Sequence, residues 1–394
     1  MIINEETKII TSGRHDKFTH RAINPVVQRA SSIIFHSVKQ KQYSTKNRKT
    51  KKLFYGRYGT ISHFSLQESM IALEDGAGCM LYPCGTAAIT HTIFAFITHD
   101  DHILITNSAY EPTQNFCQYL IKKMNIHITW FNPSIGSNIG NLIQNNTKLI
   151  ILESPGSITM EVHDIPGIVK SIRSKKPDIV IILDNTWSAG VFLKALKIGV
   201  DISIQSGTKY IIGHSDAMLG TAVANSRCWE QLREQSYLMG QTIDPDTAYM
   251  ASRGLRTLYV RLKQHEKTAL KIAQWLSHHP KIYRVNHPAL PSCKGHEYFI
   301  RDFSGSSGLF SFILKKRLTN AELSNFLNNF QYFKMAYSWG GFESLILTNQ
   351  VEELNNIRPI DTLDFTGTLV RIHIGLEHHD DLIKDLSLGL DRIL

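Results

Sequence analysis

Residues 179–209 decide the fold of this chain, and they read IVIILDNTWSAGVFLKALKIGVDISIQSGTK. A continuous apolar run at residues 179–183 ends at Asp184, and a second run at residues 201–205 leads through Ser-Gly-Thr to Lys209. Continuous β-branched runs are typical of strands that are buried on both faces of a parallel sheet. Asp184 and Lys209 should therefore emerge at the same edge of that sheet, where open α/β sheets bind ligands.

The same pattern extends over much of the N-terminal half of the chain. Short apolar runs alternate with helix-like segments, and the runs lie at residues 79–82, 102–106, 126–131 and 148–152. After Gly85, apolar residues recur at helical spacing, at Ile89, Ile93, Phe96 and Ile97. Alternation of strands with helices predicts an α/β domain with a mostly parallel sheet.

The pattern changes after about residue 257. An amphipathic segment stops before Pro280, and its apolar stripe consists of Leu262, Ala269, Ala273 and Leu276. Thr319 and Glu322 predict a helix capping box, and residues 308–314 and 368–374 have the character of strands. We therefore expect an extended arm at residues 1–60, a ligand-binding α/β domain at 61–256 and a smaller α+β domain at 257–394.

The composition of the 394-residue chain is ordinary for a globular protein, with 42% hydrophobic and 20% charged residues. The formal net charge is +9, and much of the excess lies in a run that comprises Lys39, Lys41, Lys46, Arg48, Lys49, Lys51 and Lys52. Such a run is most often a solvated surface, so we expect no nucleic-acid partner. The five cysteines lack zinc-like or CxxC spacing, which favours a reducing compartment without a metal site. With neither a signal peptide nor a bilayer-spanning stretch, the sequence predicts a cytoplasmic protein with no membrane partner.

A lysine and an aspartate at one sheet edge are the pair that pyridoxal phosphate (PLP) chemistry requires. The lysine forms a Schiff base with the cofactor, and the carboxylate keeps the pyridine nitrogen protonated. Ser206 and Thr208 flank Lys209 and can donate hydroxyl groups to a phosphate. The spacing alone leaves the matter open, because an aspartate at a strand end is usually an ordinary loop residue.

Two further features suit the same edge. Gly85 and Thr86 stand between an apolar run and a helix, so their backbone amides can point at an anion from the helix N-terminus. Tyr110 follows the run at residues 102–106 and could stack on a flat ring, although it could equally be an ordinary loop aromatic.

Arg371 is the candidate for binding a substrate carboxylate. It alternates with Val370 and Ile372 in a predicted strand, so Arg371 and His373 project to the face opposite those apolar residues. A guanidinium offers two parallel donors to a carboxylate. The alternative is a surface arginine on a half-buried strand, and His373 has no assignable role.

Several ordered motifs resemble the cysteine/methionine-metabolism family of PLP enzymes over some 370 residues. They are YGRYGT at residues 55–60, DNTW at 184–187, SGTKY at 206–210, YLMG at 237–240, SRGLRTL at 252–258, GSSGLFS at 305–311 and AYSWGG at 336–341. The resemblance implies the type I PLP fold, with a seven-stranded, mostly parallel sheet in the large domain and a smaller α+β C-terminal domain.

The resemblance also implies a role for each matching residue. Lys209 is the Schiff-base lysine, and Asp184 is the partner of the pyridinium nitrogen. The phosphate ligands are Gly85, Thr86, Ser206 and Thr208, while Tyr110 stacks on the ring and accepts the amine proton of the substrate. The substrate-binding positions are Ser338, Trp339, Arg371 and Tyr237, with Ser338 and Arg371 at the carboxylate. One departure is Cys84-Gly85-Thr86, where relatives usually have Ser-Gly and a variable third residue.

For the activity, the resemblance implies β-elimination from L-cystathionine, which gives L-homocysteine, pyruvate and ammonia in methionine synthesis. Tyr55 and Arg57 match positions that reach the cofactor phosphate of a neighbouring subunit, so a homo-oligomer is implied, as a tetramer built from dimers with shared sites. The alternative is γ-lyase or γ-synthase chemistry, but those relatives often have an acidic residue at Tyr337, less bulk around Trp339 and Asn-Pro-Thr after the Tyr55 motif. A PLP-binding protein with a regulatory role is a third possibility, which the complete set of catalytic residues disfavours.

Overall fold

The apolar runs around Asp184 form the centre of a seven-stranded sheet in the computed structural model, which describes residues 3–354 and 363–393. The strands are, in chain order, Gly78–Tyr82 (β1), His102–Thr106 (β2), His127–Phe131 (β3), Thr147–Glu153 (β4), Val180–Asp184 (β5), Ile202–Ser206 (β6) and Gly220–Ala224 (β7). Their order across the sheet is β1-β7-β6-β5-β4-β2-β3, and only the two pairings that β7 makes are antiparallel. The predicted α/β class with a mostly parallel sheet is confirmed.

Helices cover both faces of this sheet. In chain order the first nine helices are Glu5–Thr11 (α1), Asp16–Thr19 (α2), Val38–Lys46 (α3), Ile61–Glu74 (α4), Gly85–Phe96 (α5), Glu111–Met124 (α6), Ile165–Lys175 (α7), Ser226–Leu238 (α8) and Pro245–Leu255 (α9). On β2, Leu104 lies in one apolar core while Ile103 and Ile105 lie in the other, because successive side chains of a strand point to opposite faces. The continuous apolar runs are thus explained by burial on both sides.

The N-terminal arm is less extended than the sequence predicts. It contains α1 to α3, and both α1 and α2 contact α4 of the large domain. The Ser37 side chain accepts a hydrogen bond from the backbone N–H of Gln40 and so caps α3. These helices are short and mostly polar, so they leave no apolar stripe that the sequence could reveal.

A second, four-stranded antiparallel sheet follows in the C-terminal region, with the order β10-β11-β9-β8. Its strands are Ile282–Asn286 (β8), Leu309–Leu314 (β9), Leu345–Asn349 (β10) and Leu369–His373 (β11). The helices of this region are Leu258–Ser277 (α10), His296–Asp302 (α11), Asn320–Leu327 (α12), Val351–Leu354 (α13) and His379–Asp391 (α14). The predicted capping box is present at α12, with Thr319 and Glu322 bonded to each other's backbone N–H groups. The division of the chain at residues 60 and 256 stays a prediction.

The two faces of the second sheet differ in character. Phe310, Phe312 and Ile372 belong to an apolar core that also includes residues of α10 and α14. The opposite face of β11 carries Leu369, Arg371 and His373, as strand alternation requires. Within the described ranges, no helix combines the length and apolar character that a membrane span needs.

His287, which follows β8, is a buried neutral histidine in this fold. Its side chain is fully buried, and its Nδ1 accepts a hydrogen bond from the backbone N–H of Ala289 at 3.2 Å. Nε2 therefore carries the proton of the neutral ring. Burial lowers the pKa of His287 from 6.5 to about 3.

We expect His287 to make the stability of the protein pH-dependent. Between about pH 6.5 and pH 3 the unfolded chain binds a proton that the folded chain does not bind, so the free energy of unfolding falls as the pH falls. The wild type should lose about 2 kcal/mol more than His287→Asn between pH 7 and pH 5, since an amide oxygen can accept the same bond without titrating. Urea unfolding at several pH values measures this difference, and parallel pH dependences would contradict it.

Candidate active site

Side chains from both sheets converge on a cavity of about 450 Å³ at the carboxyl edge of the first sheet. At this edge β4, β5 and β6 end at Glu153, Asp184 and Ser206, and Glu153 pairs in register with Asp184. The predicted site residues that line the cavity are Gly85, Thr86, Tyr110, Asp184, Ser206, Thr208, Lys209, Ser338, Trp339 and Arg371. The fold therefore gathers residues from three distant parts of the sequence.

Lys209 lies directly after β6 and reaches into this cavity. Its Nζ donates a hydrogen bond to the Ser338 hydroxyl at 2.6 Å and lies 5.4 Å from the centre of the Trp339 ring. Burial, together with the nearby Arg371 charge, lowers the pKa of Lys209 to about 8, although Asp184 opposes the shift. A lysine with this pKa is partly neutral near pH 7, and so it can act as a nucleophile or a base.

Asp184 is positioned by the turn that follows it. Its Oδ1 accepts a hydrogen bond from the Thr186 backbone N–H at 3.0 Å and another from the Thr186 hydroxyl. The same hydroxyl accepts a hydrogen bond from the Ser206 backbone N–H at 2.9 Å, which ties β5 to β6. No described residue donates to Oδ2, so this oxygen remains able to bind a ligand. Burial raises the pKa of Asp184, while the Thr186 bonds and Lys209 oppose that change.

The start of α5 forms a close-fitting cradle at the edge of the cavity. Cys84 caps the helix through a hydrogen bond from the Ala87 N–H to its Sγ, and Gly85 is the first helical residue. A Cβ atom at Gly85 would lie 2.6 Å from the Cβ of Ser206, so only glycine allows this approach. The free amides of a helix N-terminus favour an anion here.

Arg371 enters the cavity from the second sheet. Its Nη2 donates to the carbonyl oxygens of Ser338 at 3.3 Å and Ala336 at 3.5 Å, which are both long contacts. Ser338 itself has a left-handed backbone, with φ of 76°. A guanidinium held this loosely keeps donors available for a carboxylate.

A comparison with known protein families matches one family to residues 6–391 of the chain. That family is described as the Cys/Met metabolism PLP-dependent enzymes. This chain belongs to that PLP-dependent family.

Individual proteins of the family are similar to this chain over nearly its whole length. The chain is 60% identical to cystathionine beta-lyase MetC of Escherichia coli, over 99% of this chain and 98% of that protein. It is 58% identical to cystathionine beta-lyase of Haemophilus influenzae, over 98% of each. Among solved structures, cystathionine gamma synthase of Xanthomonas oryzae pv. oryzae matches with a TM-score of 0.90 and 26% identity, over 100% of this chain and 99% of that one.

Three features of the cavity suit PLP, the cofactor of this family. Lys209 lines the cavity with its Nζ bonded to Ser338, the buried Asp184 carboxylate receives donors only on Oδ1 among the described residues, and Gly85 leaves space where a Cβ would collide with Ser206. When bound, PLP supplies an electron sink for the negative charge that develops on an amino-acid substrate. The family membership confirms the predicted cofactor.

Tyr110 lies at the start of α6 and lines the cavity, with 44% of its surface exposed. The carboxylate of Glu153 accepts a hydrogen bond from the Tyr110 backbone N–H at 2.6 Å. Burial raises the pKa of the Tyr110 phenol, and Glu153 and Asp184 raise it further. A phenol in this environment is protonated near neutral pH, so the predicted stacking role suits it more readily than the predicted role as a proton acceptor.

Three predicted residues do not line the cavity: Tyr55, Arg57 and Tyr237. Tyr55 and Arg57 belong to the arm, and both are exposed. The Arg57 Nη1 donates to the backbone oxygen of Tyr237 at 3.3 Å, and the Tyr237 ring packs 4.8 Å from the Tyr58 ring. The roles of Tyr55, Arg57 and Tyr237 in binding stay predictions.

Some residues that line the cavity or contact Asp184 were not predicted from the sequence. Glu153 ends the strand next to β5, so the rule that placed Asp184 at the carboxyl edge could also have identified Glu153. Thr186 lies two residues after Asp184, a spacing at which a hydroxyl often bonds a nearby carboxylate. Residues 155–158, Met160 and Met218 also line the cavity, but no local sequence pattern indicates their position.

Proposed function

We propose that this enzyme cleaves the Cβ–S bond of L-cystathionine by elimination, and that it yields L-homocysteine, pyruvate and ammonia. The observation that carries the proposal is the meeting of Lys209, Asp184 and Arg371 in one cavity. These side chains supply a base, a carboxylate and a guanidinium for the substrate carboxylate. The high identity to the two bacterial cystathionine beta-lyases supports this choice of substrate.

In this proposal Lys209 attaches the cofactor and later moves the proton of the substrate Cα. Its pKa of about 8 allows the neutral amine to exist near pH 7, and the Ser338 hydroxyl at 2.6 Å orients Nζ. The Asp184 carboxylate holds the proton on the ring nitrogen of PLP. Loss of the Cα proton lets the homocysteine thiolate leave from Cβ, and the remaining three-carbon fragment hydrolyses to pyruvate and ammonia.

The other cavity residues bind and orient. Arg371 and Ser338 hold the α-carboxylate of the substrate, and Trp339 forms an apolar wall beside Lys209. Tyr110 lines the same cavity and would hold the cofactor ring by stacking. The phosphate is held at the start of α5 and the end of β6, by Gly85, Thr86, Ser206 and Thr208.

Two cavity residues favour β-elimination over γ-chemistry. Tyr337 stands at the mouth of the cavity with 87% of its surface exposed, and it offers no carboxylate there. The Trp339 indole fills space beside Lys209, 5.4 Å from Nζ. Without an acidic group at this place, a second proton transfer at Cβ of the substrate has less support.

The keto acid produced from L-cystathionine tests the function. We expect pyruvate, together with a free thiol from homocysteine. Release of 2-oxobutyrate would instead support a γ-lyase, and a new thioether from an activated homoserine would support a γ-synthase. Formation of neither product by the PLP-loaded protein would indicate a binding protein.

We also propose that the active unit is at least a dimer, and that it assembles into a tetramer of two such dimers. Tyr55 and Arg57 are exposed and lie outside their own cavity, so they are available to a neighbouring subunit. In this arrangement the arm contributes a tyrosine hydroxyl and a guanidinium to the cofactor phosphate of the neighbour.

Mixing two inactive variants should restore activity if the sites are shared. In a mixed dimer of Arg57→Ala and Lys209→Ala, one of the two sites receives Lys209 from one subunit and Arg57 from the other. Random exchange should therefore recover up to about a quarter of the wild-type sites. Pyruvate formation measures the recovery, and a mixture of Lys209→Ala with an Arg57→Ala/Lys209→Ala double variant is the control. No recovery despite demonstrated subunit exchange would overturn the shared-site proposal.

For its location we propose the cytoplasm. The five cysteines are all free in the structure, and Cys79, Cys117, Cys228 and Cys293 are buried thiols. Such a set is expected of a reducing compartment.

A further inference from the structure

The loop between β4 and α7 contains a backbone conformation that its sequence does not favour. Ile158 has a φ of 70° and Met160 a φ of 62°, both in the left-handed region. A β-branched residue rarely adopts this conformation, because its side chain crowds the backbone. Glycine or asparagine would adopt it more easily, so the isoleucine side chain should have a function that offsets the strain.

Backbone hydrogen bonds, within the loop and to Ser108, hold the loop in this conformation. The N–H of Ser157 donates to the oxygen of Ser108 at 2.8 Å, and the N–H of Met160 donates to the oxygen of Gly156 at 3.0 Å. The N–H of Gly156 donates in turn to the oxygen of Glu161 at 2.9 Å. The residues on both sides of Ile158 are therefore hydrogen-bonded, and the bond to Ser108 fixes the loop to the large domain.

The Ile158 side chain contacts the C-terminal region while it also lines the active-site cavity. It is half-buried and packs against a buried apolar cluster, which consists of Ile313, Leu354, Phe365 and Leu369. Ile313 belongs to β9, Leu369 to β11 and Leu354 to α13, while Phe365 lies shortly before β11. Ile158 thus belongs to a loop of the first sheet and makes an apolar contact with a cluster that includes residues of the second sheet.

The cluster lies on the same strands as the residue that would bind the substrate carboxylate. Leu369 pairs with Ile313, and two residues further Arg371 pairs with Ser311. Because side chains two residues apart share a face of a strand, Leu369 and Arg371 point to the same side of β11. The cluster that Ile158 packs against therefore includes a residue, Leu369, that lies about 7 Å along the strand from Arg371.

The hydrogen bonds of Arg371 alone place its guanidinium only loosely. Its Nη2 lies 3.5 Å from the carbonyl oxygen of Ala336 and 3.3 Å from that of Ser338. The base, Lys209, belongs to the first sheet, whereas Arg371 belongs to the second. The distance between them depends on how the two sheets pack.

We propose that Ile158 is a positioning residue, which sets Arg371 relative to Lys209 by packing against the Leu369 end of β11. This inference rests on the proposed role of Arg371 in binding the substrate carboxylate. Ile158 contacts the cluster beside the arginine, so its effect is on carboxylate binding and not on cofactor attachment. The strained backbone at Ile158 is the cost of that contact.

The test uses binding of L-alanine, an amino acid with no leaving group at Cβ, by the PLP-loaded protein. The change in the visible absorption of the bound cofactor measures its affinity without turnover. In Ile158→Gly, which suits the backbone but removes the contact, we expect L-alanine affinity to fall about ten-fold and the KM for cystathionine to rise similarly. The kcat at saturating substrate and the affinity for PLP should change less than two-fold or so.

Three further variants make the result specific. Ile158→Val keeps the β-branched contact and should stay within about three-fold of the wild type. His20 also has a left-handed backbone, with φ of 48°, but it does not line the cavity, so His20→Gly should leave L-alanine affinity unchanged. In an Arg371→Ala background, Ile158→Gly should add little further loss, because the two residues act on one contact.

Three outcomes would overturn the inference. The first is a less stable Ile158→Gly that keeps wild-type L-alanine affinity and KM, since Ile158 would then be only structural. The second is full additivity of Ile158→Gly with Arg371→Ala, and the third is an Ile158→Val variant as defective as the glycine variant. Failure of the proposed lyase function would appear separately, as a wild type that binds L-alanine but forms no pyruvate from cystathionine.

Discussion

Replacement of Lys209 by alanine is expected to abolish both the lyase activity and the visible absorption band of lysine-bound PLP. Lys209 is the lysine that lines the cavity, and its pKa of about 8 sets it apart as a nucleophile and base. Removal of a positioned base alone costs about 10²- to 10⁴-fold in rate. Loss of cofactor attachment adds to this, so activity should fall by at least about 10⁴-fold.

Absorption spectra and pyruvate formation measure the two effects on the same sample. Lys263→Ala is a matched control, because Lys263 also lies against an aromatic ring, 5.2 Å from Phe192, but pairs with Glu266 outside the cavity. It should keep the band and the activity. A persistent band in Lys209→Ala, with the cofactor trapped by reduction on another lysine, would refute the assignment.

Arg371 should govern substrate binding more than cofactor binding. Removal of one partner of a buried, charge-assisted contact typically costs about 2 to 5 kcal/mol. Arg371→Ala should therefore lower kcat/KM by about 30-fold to several thousand-fold. Arg371→Lys keeps the charge but loses the planar pair of donors, so its decrease should be smaller than that of the alanine variant but still large.

Titration with PLP and steady-state kinetics on cystathionine separate these effects. The affinity for PLP should stay close to the wild type in both Arg371 variants, because the phosphate and ring sites lie on the first sheet. Asp184→Asn is the contrasting variant: its amide cannot hold the ring proton by charge, so kcat should fall even at saturating substrate. A nearly unchanged kcat/KM in Arg371→Lys would show that the substrate carboxylate is bound elsewhere.

Much of the first sheet could be predicted because its strands are buried on both faces. That burial requires continuous apolar runs, and such runs can be recognised locally, as at β2, β4 and β5. The turn after each run is short, so Asp184 and Lys209 could be assigned to one edge before any contact was known. The capping box at Thr319 was predictable for the same reason, since it depends on residues three positions apart.

Other features depended on which distant segments meet. The arm helices α1 to α3 have no apolar stripe and were expected to be extended, whereas α1 and α2 in fact contact α4. The family resemblance implies that Tyr237 binds substrate, and that role stays a prediction; in the structure its ring packs against Tyr58. The contacts of the arm helices and of Tyr237 are long-range, and no nearby sequence pattern indicates them.

The sequence by itself therefore determined the fold class, the cofactor and the pair of residues at the centre of the chemistry. Each of these follows from local burial patterns or from motifs that a known family shares. The tertiary structure alone decided the contacts around the site: Thr186 bonds Asp184, Ser338 bonds Lys209, and Ile158 packs against the apolar cluster that includes Leu369 of β11. The physical reason is that hydrogen bonds and apolar contacts between separate elements depend on the order of the strands and the packing of the two sheets, which no single stretch of sequence encodes.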